Sequence, residues 1–145
     1  MNRAVRYASR EPSNRSVLIV EDMDPCASTL EIALSNIPGA EVVALNGGDQ
    51  AWKYLQAARD GEICAMVTDL HMPGMDGFEL IERVRADQRY TELPIIVISG
   101  CTDPGTPGRV VELGANAFFE KPYSPVRVRA TLEHLLNETQ ARSQP

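Results

Sequence analysis

The sequence predicts a doubly wound α/β domain, a five-stranded parallel sheet covered by helices on both faces. From Ser16 onward, short apolar runs alternate with segments of helical periodicity. Most of these runs are unbroken, as in Val17-Leu18-Ile19-Val20, where a half-solvated antiparallel strand would alternate apolar with polar residues. The length of 145 residues, with 43% hydrophobic and 23% charged side chains, suits one ordinary globular domain. A chain of this size buries about two-thirds of the surface its unfolded form exposes, so it needs no disulfide or metal staple.

Val17–Val20 is the first strand. Asp24 and Pro25 follow as N-cap and first helical residue, and Leu30, Ala33, Leu34 and Ile37 share one helix face before Pro38-Gly39 stops it. Val42–Leu45 is the second strand; Gly47-Gly48-Asp49 then opens a helix with Ala51, Trp52, Leu55 and Ala58 inward. Cys64–Val67 forms the third strand and ends at Thr68-Asp69. After the turn His71–Gly77, a helix carries Phe78, Ile81 and Val84. Pro94–Ile98 is the fourth strand and Ala117–Phe119 the fifth. Ser124-Pro125 caps a last helix with Val128, Leu132, Leu135 and Leu136 inward, leaving Asn137–Pro145 as a polar tail. Right-handed crossovers leave few topologies for such a chain. In open sheets of this kind, ligands bind beyond the carboxyl ends of the strands.

The first strand ends in Glu21-Asp22, the third in Asp69, the fourth in Ser99 and the fifth in Lys121-Pro122. Three acids, a hydroxyl and an amine are thereby expected on one rim. Clustered carboxylates repel one another and drift toward protonation unless a cation compensates. Their oxygens suit a hard divalent ion, Mg²⁺ above all, with Mn²⁺ as a substitute. A carboxylate beside such an ion, an ammonium and a hydroxyl is equipped to attack a phosphoryl group. Singly, each residue has a plainer role, as a helix cap or a solvated loop residue; the chemistry rests on their conjunction at one sheet edge.

The stretches Val17–Asp22, Val67–Gly77 with its run D-x-x-M-P-x-M-D-G, Ile95–Gly100 and Gly114–Pro122 with its Lys-Pro pair carry a specific resemblance. Over residues 16–136 the chain resembles the receiver domain of bacterial two-component response regulators, in the single-domain, chemotaxis-regulator style. The resemblance implies a flavodoxin-like (βα)5 sheet in strand order 2-1-3-4-5 and a cytoplasmic protein that is a phosphoacceptor rather than an enzyme. It makes Asp69 the phosphoacceptor, served by a sensor histidine kinase or phosphotransfer protein, with the signal passed on to a downstream protein. Asp22 and Asp69 would hold Mg²⁺ directly, Glu21 would reach it through water, and the His71 main-chain carbonyl would be a further ligand. Lys121 would pair with the phosphoryl group, Ser99 would turn inward to it, and Phe118 would follow as the switch aromatic. Asp76 reads as a helix cap.

Two stretches depart from the family pattern. Between the fourth and fifth strands, Pro104 and Pro107 oppose a full-length helix, because a proline in the fourth helical position lacks the N–H the first turn needs. A short fourth helix is expected instead, with Thr106 as N-cap, Pro107 at the first position and Gly114 just past its end. His71 and Cys101, each two residues beyond a site residue, are expected to tune the lifetime of the phosphoryl group by shielding it from water or admitting water to it.

Composition sets further bounds. With 14 basic and 20 acidic residues the net charge is −6, a poor match for a nucleic-acid backbone, so no direct nucleic-acid binding is expected. Residues 1–15 form a basic arm, read as disordered, with Arg3, Arg6, Arg10 and Arg15 against Glu11 alone. No apolar run is long enough to span a bilayer, and no membrane partner is expected. Cys26, Cys64 and Cys101 are odd in number, widely spaced and read as reduced thiols. A monomer or weak dimer is expected. Three rival readings compete: a receiver excised from a larger hybrid protein, a pseudo-receiver used only for docking, and an aspartyl-phosphate hydrolase of the haloacid-dehalogenase type. The last needs a second aspartate two residues after the nucleophile, where this chain has His71.

Overall fold

Parallel pairing joins five strands in the computed structural model, which describes residues 15–22, 24–100 and 103–143. In chain order the elements are β1 (Arg15–Val20), α1 (Asp24–Leu34), β2 (Ala40–Leu45), α2 (Gly48–Ala57), β3 (Ile63–Asp69), α3 (Gly77–Ala86), a 3₁₀ turn (Gln88–Tyr90), β4 (Ile95–Ser99), α4 (Thr106–Leu113), β5 (Ala117–Glu120) and α5 (Pro125–Ser143). The sheet order is β2-β1-β3-β4-β5, as the flavodoxin-like arrangement requires. Strand order reverses beside β1, so the crevice lies above the carboxyl ends of β1 and β3.

Successive side chains of a strand point to opposite faces, and both faces are apolar here. On one side Leu18, Val20, Met66, Ile95 and Val97 pack with Ala51 and Leu55 of α2, Leu80, Ile81 and Val84 of α3, and Val110 of α4. On the other, Val17, Ile19, Ala65, Val67, Ile96 and Ile98 meet Leu30 and Leu34 of α1 and Val128 and Leu132 of α5. Burial on both faces is the reason the central strands read as continuous apolar runs. The outer strand β2 is only half-buried along its length.

Register makes the strand ends level. Val20 pairs with both Leu45 and Thr68, Asp69 with Ile98, and Ser99 with Glu120. The residues that follow each strand are thereby delivered to one rim.

Several boundaries differ from the sequence expectation. Strand β1 begins at Arg15, the last residue of the expected basic arm; residues 1–14 lie outside the described residues. On α3, Leu80 is fully buried while Phe78 is only partly so. Helix α4 is short, as its prolines require, but its N-cap is Gly105, with Thr106 and Pro107 in the first turn. The Thr106 side chain is buried. Pro107 fits because a first-turn N–H has no helical partner to lose. Gly114 closes the helix in the left-handed conformation at φ 115°, as expected. Helix α5 continues through the polar segment after Leu136 to Ser143. No glycine or proline interrupts that segment, and i,i+4 pairs such as His134–Glu138 at 3.2 Å line its surface.

Arg85 ties α4 to the body of the fold. Its Nη2 and Nε donate to the Gly114 carbonyl at 2.7 and 3.1 Å, and its Nη1 to that of Tyr90 at 2.7 Å. The Asn116 side-chain oxygen accepts the Ile95 N–H at 2.8 Å and fixes the entry to β4.

The turn between β3 and α3 is equally constrained. Gly77 N–H donates to the Leu70 carbonyl at 2.8 Å, and Asp76 Oδ1 caps α3 by accepting the Glu79 N–H at 2.9 Å, as expected of Asp76. A Cβ on Gly77 would collide with the Asp69 carbonyl and Leu70 Cα. Gly77→Ala should therefore lower unfolding free energy by about 1–3 kcal/mol, read from urea denaturation; an unchanged midpoint would mean the turn yields freely.

Candidate functional site

Strands β1, β3, β4 and β5 end by presenting polar groups to the rim. Glu21 follows β1 and its N–H donates to the Leu45 carbonyl at 3.0 Å, so its backbone is anchored to β2. Its side chain is 1% exposed. Asp22, next in sequence, is exposed. Asp69 is the last residue of β3, is buried, and accepts the N–H groups of Leu70 and His71 at Oδ1, the latter at 3.3 Å. Lys121 follows β5, and its N–H donates to the Ser99 carbonyl at 2.8 Å. The Lys121–Pro122 peptide is cis.

Lys121 bridges the two buried acids. Its Nζ donates to Asp69 Oδ2 at 2.7 Å and to Glu21 Oε2 at 2.8 Å. Burial pulls the ammonium's pKa down, but the bonds to Asp69 and Glu21 outweigh this and leave it above the ordinary lysine value. Glu21 moves the other way from a usual carboxylate, pushed up to about 6. Burial is the main cause; the Lys121 hydrogen bond opposes it, and the neighbouring Asp69 carboxyl adds to it.

Glu21 Oε1 is buried and has no hydrogen-bond partner. One oxygen each from Glu21, Asp22 and Asp69 lies within 4.8 Å of the others. An orphaned carboxylate oxygen among three acids is the donor set of a hard divalent cation, with exposed Asp22 leaving an open side for water.

Glu21, Asp22, Asp69 and Lys121 are thus brought together as the sequence predicts. Ser99 ends β4 on the adjoining strand and is fully buried. Phe118 sits on β5 opposite Val97 and is half-buried against the α2–α4 side of the core. The His71 main chain meets Asp69, while its exposed side chain packs edge-on to Phe78. Cys101 lies outside the described residues.

Two contributors escape sequence reasoning. Asp49, in the first turn of α2, accepts the Met75 N–H at 3.3 Å and braces the turn that follows Asp69. Arg109 of α4 lies over the Phe78 ring, 3.9 Å from its centroid. An acid at a helix start and an arginine in a short helix carry no sequence signal for such contacts.

The family profile described as "Response regulator receiver domain" matches residues 17–133, and the chain belongs to that family. It is 33% identical over 122 residues to "Chemotaxis protein CheY1" of Helicobacter pylori strain J99, covering 83% of this chain and 95% of that protein. It is 30% identical to "Sensory/regulatory protein RpfC" of Xanthomonas campestris, covering 99% of this chain but 19% of that much longer protein. Among solved structures, chemotaxis response regulator CheY4 of Vibrio cholerae superposes with a TM-score of 0.73 at 28% identity, over 84% of this chain and 98% of that one. The family assignment sets aside the haloacid-dehalogenase reading. No helix among the described residues is long and apolar enough to cross a membrane.

Because the folded protein holds a proton on Glu21 up to a higher pH than the unfolded chain does, this group's contribution falls as pH rises through the window from 4.5 to about 6. In metal-free protein, Glu21→Gln should therefore gain stability relative to wild type by about 1–2 kcal/mol between pH 4 and pH 7.5. Denaturation of both proteins across that range checks this, and a difference independent of pH would contradict it.

Proposed function

We propose that Asp69 accepts a phosphoryl group from the phosphohistidine of a sensor histidine kinase or phosphotransfer protein, in a reaction that needs Mg²⁺. The observation that carries this reading is the Lys121 ammonium held between Asp69 and Glu21, beside a buried Glu21 oxygen with no partner. A carboxylate at a strand end, flanked by one cation and a donor set for another, is arranged for anionic phosphoryl transfer and not for docking alone.

Asp22 and Asp69 would hold Mg²⁺ directly, with Glu21 reaching it through water and the His71 carbonyl completing the protein ligands; Mn²⁺ would serve in its place. When bound, the ion neutralises charge on the phosphoryl oxygens. An Asp69 carboxylate oxygen attacks phosphorus, the P–N bond to the donor imidazole breaks, and the departing nitrogen keeps the electron pair and takes a proton. The main-chain N–H groups of Leu70 and His71 hold the Asp69 carboxylate in a fixed orientation throughout. Lys121 shifts its hydrogen bond from Asp69 to a phosphoryl oxygen as negative charge moves there.

The signal follows from the same geometry. Phosphorylation adds negative charge and strong acceptor oxygens at the end of β3. The Ser99 hydroxyl turns toward them, and the Phe118 ring, on the next strand, moves into the space this opens. The packing of the α4–β5 surface then differs between the two states, and a partner protein reads the difference. The likeness to proteins named for chemotaxis supports a protein as that partner.

Incubated with Mg²⁺ and acetyl phosphate, the protein should gain one acid-stable, base-labile phosphoryl group by intact mass. Asp69→Asn should gain none, and Lys121→Ala should react on the order of 10²-fold more slowly. An adduct that persists in Asp69→Asn overturns the assignment. Without a phosphodonor, Mg²⁺ at tenfold its Kd should stabilise wild type by about 1.4 kcal/mol, a rise in Tm of a few degrees. Asp22→Asn should lose most of that increment in the same thermal melt.

A further inference from the structure

The turn that carries the main-chain donors of Asp69 is held from outside by helix α2. Leu70 and His71 give their N–H groups to Asp69 Oδ1, and the turn closes where the Gly77 N–H meets the Leu70 carbonyl. Its apex lies against the start of α2. There Asp49 Oδ2 accepts the Met75 N–H at 3.3 Å, across 26 residues of sequence. The two segments are in close contact on either side of this bond. A Cβ on Gly48 would stand 2.3 Å from the Met75 carbonyl oxygen, and one on Gly74 would stand 2.5 Å from Asp49 Oδ2.

We propose that Asp49 is a positioning residue for phosphoryl uptake: by holding the Gly74–Met75 peptide it keeps the Leu70 and His71 N–H groups aimed at Asp69, and the carboxylate in its attacking orientation. The inference rests on the phosphorylation of Asp69 proposed above.

The physical basis is the distribution of stiffness along the turn. Pro73 has its φ fixed by its ring, and the residue before a proline, here Met72, is restricted as well. The Met72 and Met75 side chains are buried in the core. Gly74, at φ 77°, is the soft joint, because a residue without a Cβ takes either sign of φ at little cost. Rotation of the Gly74–Met75 peptide about that joint turns the Met75 N–H away from α2. A charged acceptor opposite the N–H selects one orientation. With the joint fixed, the stiff Met72-Pro73 pair passes the constraint back to the His71 N–H. Asp49 is itself well seated: Ala51 and Leu55 of α2 are fully buried, and the Leu55 and Ala58 carbonyls at the far end of the helix accept from Arg89 at 3.0 and 2.8 Å.

The step under control is uptake. With acetyl phosphate as donor, an Asp69 oxygen attacks phosphorus, the bond from phosphorus to the acetyl oxygen breaks, and acetate leaves with the electron pair. The attacking oxygen must lie in line with the breaking bond. Two N–H groups on Oδ1 fix the plane of the carboxylate and so the direction from which its oxygens attack. Asp49 acts on that plane through the backbone alone.

The test follows phosphoryl gain by full-length protein from acetyl phosphate and Mg²⁺ by intact mass, and amide hydrogen exchange in the absence of both. Asp49→Ala should slow uptake about two- to fivefold, a modest factor because Asp49 is exposed to water. Asp49→Asn removes the same charge from the first turn of α2 but keeps an acceptor oxygen, and should retain most of the wild-type rate. In Asp49→Ala the Met75 and His71 amides should exchange about tenfold faster, while the β4 amides of Ile95–Ser99 keep their wild-type rates. Gly48→Ala pushes the Met75 carbonyl off α2 with Asp49 intact. It should show the same pair of effects, and it carries the test if Asp49→Ala does not fold.

The inference falls if Asp49→Ala takes up phosphate at the wild-type rate or if the His71 amide keeps its protection. Equal slowing in Asp49→Ala and Asp49→Asn overturns it too, because the charge and not the hydrogen bond would then be responsible. Wild type that takes up no phosphoryl group refutes the Asp69 assignment itself, and the role of Asp49 with it. Normal loading of wild type with unaltered uptake in Asp49→Ala refutes Asp49 alone.

Discussion

The Lys121 ammonium shared between two buried carboxylates constrains everything around it. Taking a carboxylate and an ammonium out of water costs several kcal/mol per ion, recovered only where geometry is close and the remaining polar atoms find partners. Here the two ion pairs, at 2.7 and 2.8 Å, join residues at the ends of three different strands. They form only if β1, β3 and β5 end at one level, and the parallel register supplies that level. The main-chain bonds from Glu21 to Leu45 and from Lys121 to Ser99 extend the sheet's ladder one residue further, so the charged side chains hang from strand-like backbone.

Compensation within the cluster is incomplete. One ammonium stands against two buried acids, Glu21 Oε1 has no hydrogen-bond partner, and burial, with the neighbouring Asp69 carboxyl adding to it, raises the Glu21 pKa. That residual imbalance fits a pocket of the kind at which receiver domains bind Mg²⁺.

Around this centre the fold divides labour between its two faces. Helices α1 and α5 close one side with large aliphatic contacts. The α2–α3–α4 side carries a helix of eight residues, a half-buried Phe118, and polar clamps from Arg85 and Asp49. Helix α4 is held at Gly114 by Arg85 and, through Arg109, rests on Phe78.

By itself the sequence determined the fold class, the strand order through its family motifs, and the identity of Glu21, Asp22, Asp69 and Lys121 as rim residues. Each of these rests on a local signal: an apolar run of strand length, a turn residue, or a polar group directly after a strand. The short α4 was equally legible, since Pro104 and Pro107 restrict the backbone wherever they stand. The cap residue was not, because Gly105 and Thr106 both suit a helix start and the folded backbone places Thr106 inside the first turn. The end of α5 was missed because polar residues after the last apolar position read as tail, whereas good helix formers continue a helix already docked. Tertiary structure alone decided the pairing of Lys121 with two acids, the orphaned oxygen of Glu21, and the meeting of Arg109, Phe78 and His71. These contacts depend on distances between elements far apart in the chain, and such distances are set by sheet register and helix packing rather than by any local pattern.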